Sequence, residues 1–228
     1  MVFLMSIKQL ILRNRKNQAV SLFNITILGL STYVMAHYFT NSNHSSFIAA
    51  ILYNHFTPLY LIIGPCFYLF ILIKLKIING VRKIDLLHFI PSLIYLISII
   101  PYFLVPWTEK VNLVQEIYTN PEIQEHININ MFFFPKFNYV FRMLHFITYC
   151  TISLRLIQLK IKTTPPHNKV QLISLKKITT IFISLTIIYF IHIIVILVGG
   201  VYQTTFLDII IYLDLFIYHY LYISIYCP

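Results

Sequence analysis

Charged residues are missing from two long stretches of the sequence. From residue 17 to residue 73 there is no Lys, Arg, Asp or Glu, and from residue 178 to residue 228 the only charged residues are Asp208 and Asp214. A helix that crosses the hydrocarbon core of a bilayer, about 30 Å thick, needs roughly 20 apolar residues, and apolar runs of that length recur along this chain. The scarcity of charge excludes a soluble domain and predicts a polytopic membrane protein.

Cysteine is also scarce, and the motifs of common enzymes are missing. The three cysteines, Cys66, Cys150 and Cys227, offer no pair placed to form an exported disulfide and no Cys/His spacing typical of zinc. There is no Gly-rich phosphate loop, no His-Glu-x-x-His and no Gly-x-Ser-x-Gly. The sequence therefore predicts a protein that is not an enzyme and that holds no metal and no cofactor.

The lengths of the apolar runs predict an all-α fold, a polytopic membrane helix bundle of the seven-helix type. Six full spans are expected, together with a truncated first span. The full spans are expected near residues 19–39, 47–73, 86–106, 132–159, 178–199 and 204–226, and the truncated span at residues 1–12. Kinks are expected at Pro58 and at Gly64-Pro65, because proline removes a helical hydrogen bond.

The basic residues predict the orientation in the membrane. Thirteen of the 17 Lys and Arg residues lie in the loops at 13–18, 74–84 and 155–177, whereas the loop at 107–131 carries four glutamates and one lysine. Because positive residues favour the cytoplasmic side, the three basic loops and the C-terminus are expected inside the cell, at the inner (cytoplasmic) membrane. Three interpretations of 107–131 stay open: a short helix, a cover over a pocket, or a disordered connector.

Five polar residues within the predicted spans form a candidate ligand site. A charge near the bilayer centre costs at least about 2.5–3.5 kcal/mol, so such residues call for partners. At 1.5 Å per residue, the two histidines and the arginine are expected in the outer half of the membrane, Asp208 near the outer surface and Asp214 nearer the middle, so the five are expected to converge at a similar depth. They are Arg142, His145, His192, Asp208 and Asp214. The pattern indicates either an anion-binding pocket in which Arg142 is balanced by Asp214, or a structural ion pair between two helices.

Several short strings resemble one known family. They are Arg13-Asn14-Arg15-Lys16-Asn17, Gly64-Pro65-Cys66-Phe67-Tyr68, His88-Phe89-Ile90-Pro91 and Tyr226-Cys227-Pro228. Together they look like the membrane part of Bacteroidetes-type AraC family regulators, in which a seven-helix domain precedes a cytoplasmic helix-turn-helix domain. The resemblance covers nearly the whole chain. Members of the family would have a complete first span, where this sequence has only residues 1–12, and a DNA-binding domain, which is expected after residue 228.

The resemblance implies that residues 1–228 form a membrane-embedded sensor or anchor domain of a one-component transcriptional regulator. Such a domain would pass an outer-side signal to the helix-turn-helix domain. Its partners would be the lipid bilayer, an unidentified small ligand and DNA through that further domain, with a homodimer left open. Two alternatives stand beside it: a small membrane transporter or channel subunit, and an integral-membrane lipid-modifying enzyme.

Overall fold

The computed structural model describes residues 17–41, 45–120, 123, 127, 130–166 and 169–199, and in these residues all regular structure is helical. A 3-10 helix, Lys83–Phe89, lies between the third and fourth α-helices. The described residues form eight α-helices: α1 Gln18–Asn41, α2 Ser46–Leu52, α3 Thr57–Lys74, α4 Ile90–Ser98, α5 Ile100–Leu104, α6 Trp107–Thr119, α7 Pro135–Thr163 and α8 Val170–Gly199.

Four of these helices are long and apolar enough to cross a membrane. They are α1, α3, α7 and α8, and their most apolar windows have a mean hydropathy of 1.6, 1.7, 1.3 and 2.3. Their length and composition indicate membrane association. The predicted all-α class is confirmed for the described residues. Seven crossings are not confirmed: the described residues contain four helices of membrane length and none at the span predicted at 86–106, and the spans predicted at 1–12 and 204–226 lie outside those residues.

The span predicted at 47–73 is divided into α2 and α3. Tyr53 has an extended backbone at the end of α2, and Asn54 adopts the left-handed region with φ 59°. Asparagine tolerates this region better than most residues. The chain thus turns at 53–56, and Pro58 lies in the first turn of α3, where its missing N–H costs nothing. Pro58 begins a helix and does not kink one.

The span predicted at 86–106 is also built from shorter pieces. The 3-10 helix leads into α4, and Ile99 separates α4 from α5. Pro91 and Pro101 each lie in the first turn of a helix. Neither α4, with nine residues, nor α5, with five, is long enough to cross a membrane by itself.

The α3 helix lies at the centre of the bundle, between α1 and α7, and α8 packs against α7. Glycine permits both close approaches to α3. A Cβ added at Gly29 of α1 would lie 2.6 Å from Ile63 Cγ1, and one added at Gly64 of α3 would lie 2.9 Å from the Tyr149 Cδ2 atom. Small residues at helix contacts are typical of membrane bundles, because they let backbones come close together.

The contacts along α3 define the two ends of the bundle. Tyr33 and Phe23 of α1 lie against Tyr60 and Phe70, so α1 is antiparallel to α3. Arg142 of α7 faces Tyr60, while Tyr149 lies further along beside Gly64, so α7 runs parallel to α3. The start of α1, the end of α3 and the end of α7 therefore share one end, which also carries the described parts of the three basic loops.

The opposite end carries α6, which lies in the loop predicted at 107–131. Val114 of α6 packs against Ala49 and Ala50 of α2, and the Tyr118 hydroxyl donates a hydrogen bond to the Phe39 carbonyl at 2.8 Å. Lys110 is buried, and its Nζ donates to the Phe103 carbonyl at 3.2 Å. Of the three interpretations of this loop, the short helix is the one seen for residues 107–119.

One face of the α4 and α5 segment is apolar and exposed. Exposure of such a face to water would be costly, because each square ångström of apolar surface that is removed from water lowers the free energy by roughly 25 cal/mol. Lipid is the solvent that suits it. The exposed large side chains of this segment are Ile90, Leu93, Ile94, Leu96, Ile97, Ile100, Phe103 and Leu104, and Leu86 and Leu87 of the preceding 3-10 helix are exposed as well.

A candidate ligand cavity around Arg142

Arg142 lies two turns into α7 and is only 6% exposed. Its Nε donates a hydrogen bond to the Asn138 carbonyl one turn earlier, at 3.2 Å. Three tyrosine rings surround the guanidinium: the centroid of Tyr139 lies 4.9 Å from Cζ, that of Tyr60 5.5 Å and that of Tyr33 5.7 Å. The electron-rich faces of these rings stabilise a buried cation without neutralising it.

Within the described residues, no carboxylate lies in ion-pair range of Arg142. The ion pair found among the described residues joins Arg82 to Asp85 at a distance of 2.8 Å, and it lies at the opposite end of the bundle from Arg142. The predicted partners Asp208 and Asp214, and the side chain of His192, lie outside the described residues. The pairing of Arg142 with an aspartate therefore stays a prediction.

A polar cavity of about 60 Å³ opens beside the guanidinium. The Asn54 Nδ2 atom donates to Asn130 Oδ1 at 3.2 Å, and the Thr57 hydroxyl donates to Asn54 Oδ1 at 3.2 Å. These bonds tie the turn after α2 to the segment that leads into α7. A cavity of this size holds water, which needs at least about 10–15 Å³. Its polar lining consists of His37, Thr40, Tyr53, Asn54, Thr57, Tyr60, Asn130, Asn138, Tyr139 and Arg142.

A second cavity of about 60 Å³ lies between α1, α3, α7 and α8. It shares His37, Tyr60 and Arg142 with the first, so the guanidinium borders both. We call this second space the apolar cavity, because most of its lining is aliphatic or aromatic. That part of the lining consists of Leu30, Val34, Ile63, Met143, Phe146, Phe182 and Leu185, together with the rings of Tyr33, Tyr60 and Tyr189.

The wall between the two cavities contains a buried hydroxyl without a hydrogen-bond partner. Tyr60 is 6% exposed, and its hydroxyl contacts no donor or acceptor within hydrogen-bond distance in the described part of the chain. Buried polar groups are nearly always paired, by protein, water or a ligand. An orphaned hydroxyl beside a buried cation is therefore a mark of a site that takes a polar ligand or ordered water.

His145, the second residue of the predicted site, does not line either cavity. Its ring lies between Phe141 and Tyr149, with centroid distances of 5.7 and 4.9 Å. Both of its ring nitrogens are buried and have no hydrogen-bond partner among the described residues. Tyr149 in turn binds His88, whose Nδ1 lies 3.0 Å from the Tyr149 hydroxyl. His145 thus belongs to an aromatic cluster that links α7 to the 3-10 helix.

Sequence reasoning missed several residues that line the cavities. His37 lies against the rings of Tyr33 and Tyr189, at 4.5 and 5.3 Å. A histidine in the charge-free α1 helix was one available signal. Asn54 and Asn130 are 76 positions apart, and only the fold brings them together.

The described residues contain no group of three or more His, Cys, Asp or Glu side chains that could hold a metal ion. Comparisons with protein-family models, with curated proteins and with solved structures found no match to this chain.

Proposed function

We propose that this chain is the membrane sensor domain of a one-component transcriptional regulator of the AraC type. In this proposal it lies in the inner membrane with its C-terminus in the cytoplasm. A signal binds near Arg142 from the outer side, and a shift of the helices passes it to a cytoplasmic helix-turn-helix domain. The observation that carries the proposal is the buried Arg142 guanidinium beside two cavities, close to the end of the bundle that lacks the basic loops.

The packing below Arg142 favours a sensor over a transporter or channel. Toward the basic end, Phe23 packs against Phe70 with ring centroids 4.9 Å apart, and Phe67 packs against Phe182 at 5.1 Å. Phe67 and Phe70 are fully buried in the main core. A polar route across the membrane would have to pass this aromatic layer, whereas a sensor needs a site that is open on one side only.

The polar cavity is well placed to convert binding into movement. Its walls come from α1, the end of α2, the α2–α3 turn, the first turn of α3, the segment before α7, and α7 itself. A ligand can shift an equilibrium only by its difference in affinity for the two states. A ligand that contacts Arg142 and the Asn54–Asn130 pair together favours the arrangement in which α7 and the α2–α3 turn are close, and α7 extends from there to the basic end.

The coding sequence beyond the codon for Pro228 gives the first test. An in-frame linker followed by a helix-turn-helix domain is the expected result, and an in-frame transport or catalytic domain would contradict the proposal. The second test compares transcripts in cells that carry the natural gene, an Arg142→Gln change or an Arg155→Gln change. Arg155 is an exposed arginine of the same helix and serves as the matched control.

We expect Arg142→Gln alone to change a small set of transcripts while the protein level in the membrane fraction stays normal. Identical transcripts in all three strains, with equal protein levels, would argue against a sensory role of Arg142.

A further inference from the structure

The two cavities differ in the side chains that line them, and Arg142 borders both. On one side the guanidinium of Arg142 faces amide and hydroxyl groups such as those of Asn54, Asn130 and Thr57. On the other side it faces the aliphatic and aromatic side chains of Val34, Ile63 and Phe182. A ligand that suits both cavities has an anionic head and an apolar tail.

Charge selects an anion. An arginine side chain stays protonated in proteins, and its planar fork of N–H donors matches a carboxylate in a bidentate arrangement. Its Nε is already used by the Asn138 carbonyl. The described residues supply tyrosine rings to this cation but no counter-charge. A cationic ligand would place a second positive charge beside a guanidinium to which the described residues supply no carboxylate.

Size limits the tail. The apolar cavity measures about 60 Å³, less than half of the roughly 150 Å³ of an engineered cavity that holds benzene. A short alkyl chain suits this space, whereas an aromatic ring or a long acyl chain does not.

We propose that the two cavities form one binding site for a short-chain aliphatic monocarboxylate. Its carboxylate binds the Arg142 guanidinium, with the Tyr60 hydroxyl within the same wall, and its alkyl chain occupies the apolar cavity beside Val34. This proposal rests on the proposed sensory function and names the chemical class of the signal.

The test measures binding to the purified full chain in lipid nanodiscs, by titration calorimetry and by the shift in thermal unfolding temperature. The probes are the sodium salts of acetate, butanoate, hexanoate and palmitate. Butylamine, butanol and inorganic phosphate separate the contributions of charge and tail. We expect butanoate to bind more tightly than acetate and phosphate, and butylamine and butanol to give no shift.

Three variants locate the site. Arg142→Gln should weaken butanoate binding by at least about tenfold, because a hydrogen-bonded charge pair is lost, and Arg155→Gln on the same helix should bind like the natural protein. Val34→Leu places an additional methylene in the apolar cavity, so it should weaken hexanoate binding more than acetate binding. That variant keeps the proposal testable if Arg142→Gln does not fold.

Several results would overturn the proposal. Equal binding of butanoate and butanol would remove the role of charge, and phosphate binding as tight as butanoate would remove the role of the tail. Binding of palmitate alone would identify an acyl chain from the bilayer and contradict the size argument. Unchanged butanoate binding in folded Arg142→Gln would exclude this site.

The outcomes also separate this proposal from the sensory function. Carboxylate binding without any transcript change would leave the ligand class standing and remove the sensory role. A transcript change in Arg142→Gln without carboxylate binding to the natural protein would support the sensory role and remove the proposed ligand class.

Discussion

Gly64 of α3 lies directly against the ring of Tyr149 in α7, so close that a Cβ at Gly64 would be 2.9 Å from Tyr149 Cδ2. The same Tyr149 carries the hydroxyl that binds His88 Nδ1 at 3.0 Å. The missing side chain of Gly64 thus allows α3 and α7 to pack closely and leaves space for the ring of Tyr149, which binds His88 of the 3-10 helix. Gly64 also lies in the sequence string on which the family resemblance rests.

Gly64→Ala should destabilise the protein by about 1–3 kcal/mol, because an added methyl group must displace an aromatic ring in a packed core. Thermal unfolding in detergent measures the effect. Thr148→Ala, at an exposed position of α7 one residue before Tyr149, is the control and should change stability little. Truncation of the ring in a Gly64→Ala/Tyr149→Leu double variant should recover part of the loss, and strictly additive effects would contradict the contact.

Tyr149→Phe tests the hydrogen bond without changing the ring. The loss should be about 0.5–1.5 kcal/mol, the usual net value of one hydrogen bond. Thermal unfolding is again the measurement, and His88→Ala in combination with Tyr149→Phe should cost less than the sum of the two single changes. If Tyr149→Phe is as stable as the natural protein, the bond contributes nothing.

The turn at Asn54 permits a matched pair of variants. Asn54 has φ 59°, and its side chain binds both Asn130 and Thr57. Asn54→Gly removes the side-chain hydrogen bonds but still adopts the left-handed backbone conformation easily. Asn54→Ala removes the same hydrogen bonds and also makes the left-handed conformation unfavourable. The alanine variant should therefore be less stable than the glycine variant by about 1–2 kcal/mol, the usual penalty for a left-handed residue with a Cβ. Equal stabilities would show that the left-handed conformation carries no strain.

The long helices were predictable because their signal is local. The absence of charge over about 20 residues is enough to predict α1, α3 and α8, and the apolar run at 132–159 predicts α7 although it contains Lys136, Arg142 and Arg155. The alternation of basic loops agrees with the shared end found for α1, α3 and α7. Arg142 could be selected from the sequence for the same reason, since a charge within an apolar run is rare and costly.

The breaks and the cavity walls were not predictable in the same way. The turn at 53–56 depends on a left-handed Asn54, a conformation that asparagine favours only weakly, so the apolar run alone predicted one helix. The tyrosines around Arg142 come from α1, α3 and α7. Seventeen tyrosines in the sequence give no indication of which three meet, because that depends on the register of helices packed in three dimensions.

The ion pair at the basic end predicts a pH dependence of stability. The Arg82 side chain and backbone N–H both donate to the Asp85 carboxylate, at 2.8 to 3.1 Å, and these bonds hold the pKa of Asp85 below its usual range. A carboxylate whose pKa is lower in the folded state stabilises the fold above its unfolded-state pKa of about 3.9, and this contribution is lost as the pH falls through the folded-state value.

The natural protein should therefore be more stable than Asp85→Asn near neutral pH, and the difference should shrink as the pH falls below about 4. Thermal unfolding at a series of pH values from neutral to acidic measures both proteins in the same detergent. Because Arg82 is exposed, the difference should also decrease with added salt. A difference that is constant across the pH range would assign the effect of Asp85→Asn to packing and not to the charge.

Cysteine labelling tests the orientation of the two ends. With Cys227 changed to Ser, the remaining Cys66 and Cys150 are buried and should not react. Glu116→Cys on exposed α6 should then react with an impermeant maleimide in intact cells, whereas Lys162→Cys at the exposed end of α7 should react only after the membrane is opened. Val114→Cys, on the face of α6 that is buried against α2, is the control that should stay unreactive in both conditions. The physical reason is the basic composition of the loop after α7, which favours the cytoplasmic side.

The reverse pattern, with Lys162→Cys reactive in intact cells, would invert the orientation and place the Arg142 cavities on the cytoplasmic side, where they could not receive an outer signal.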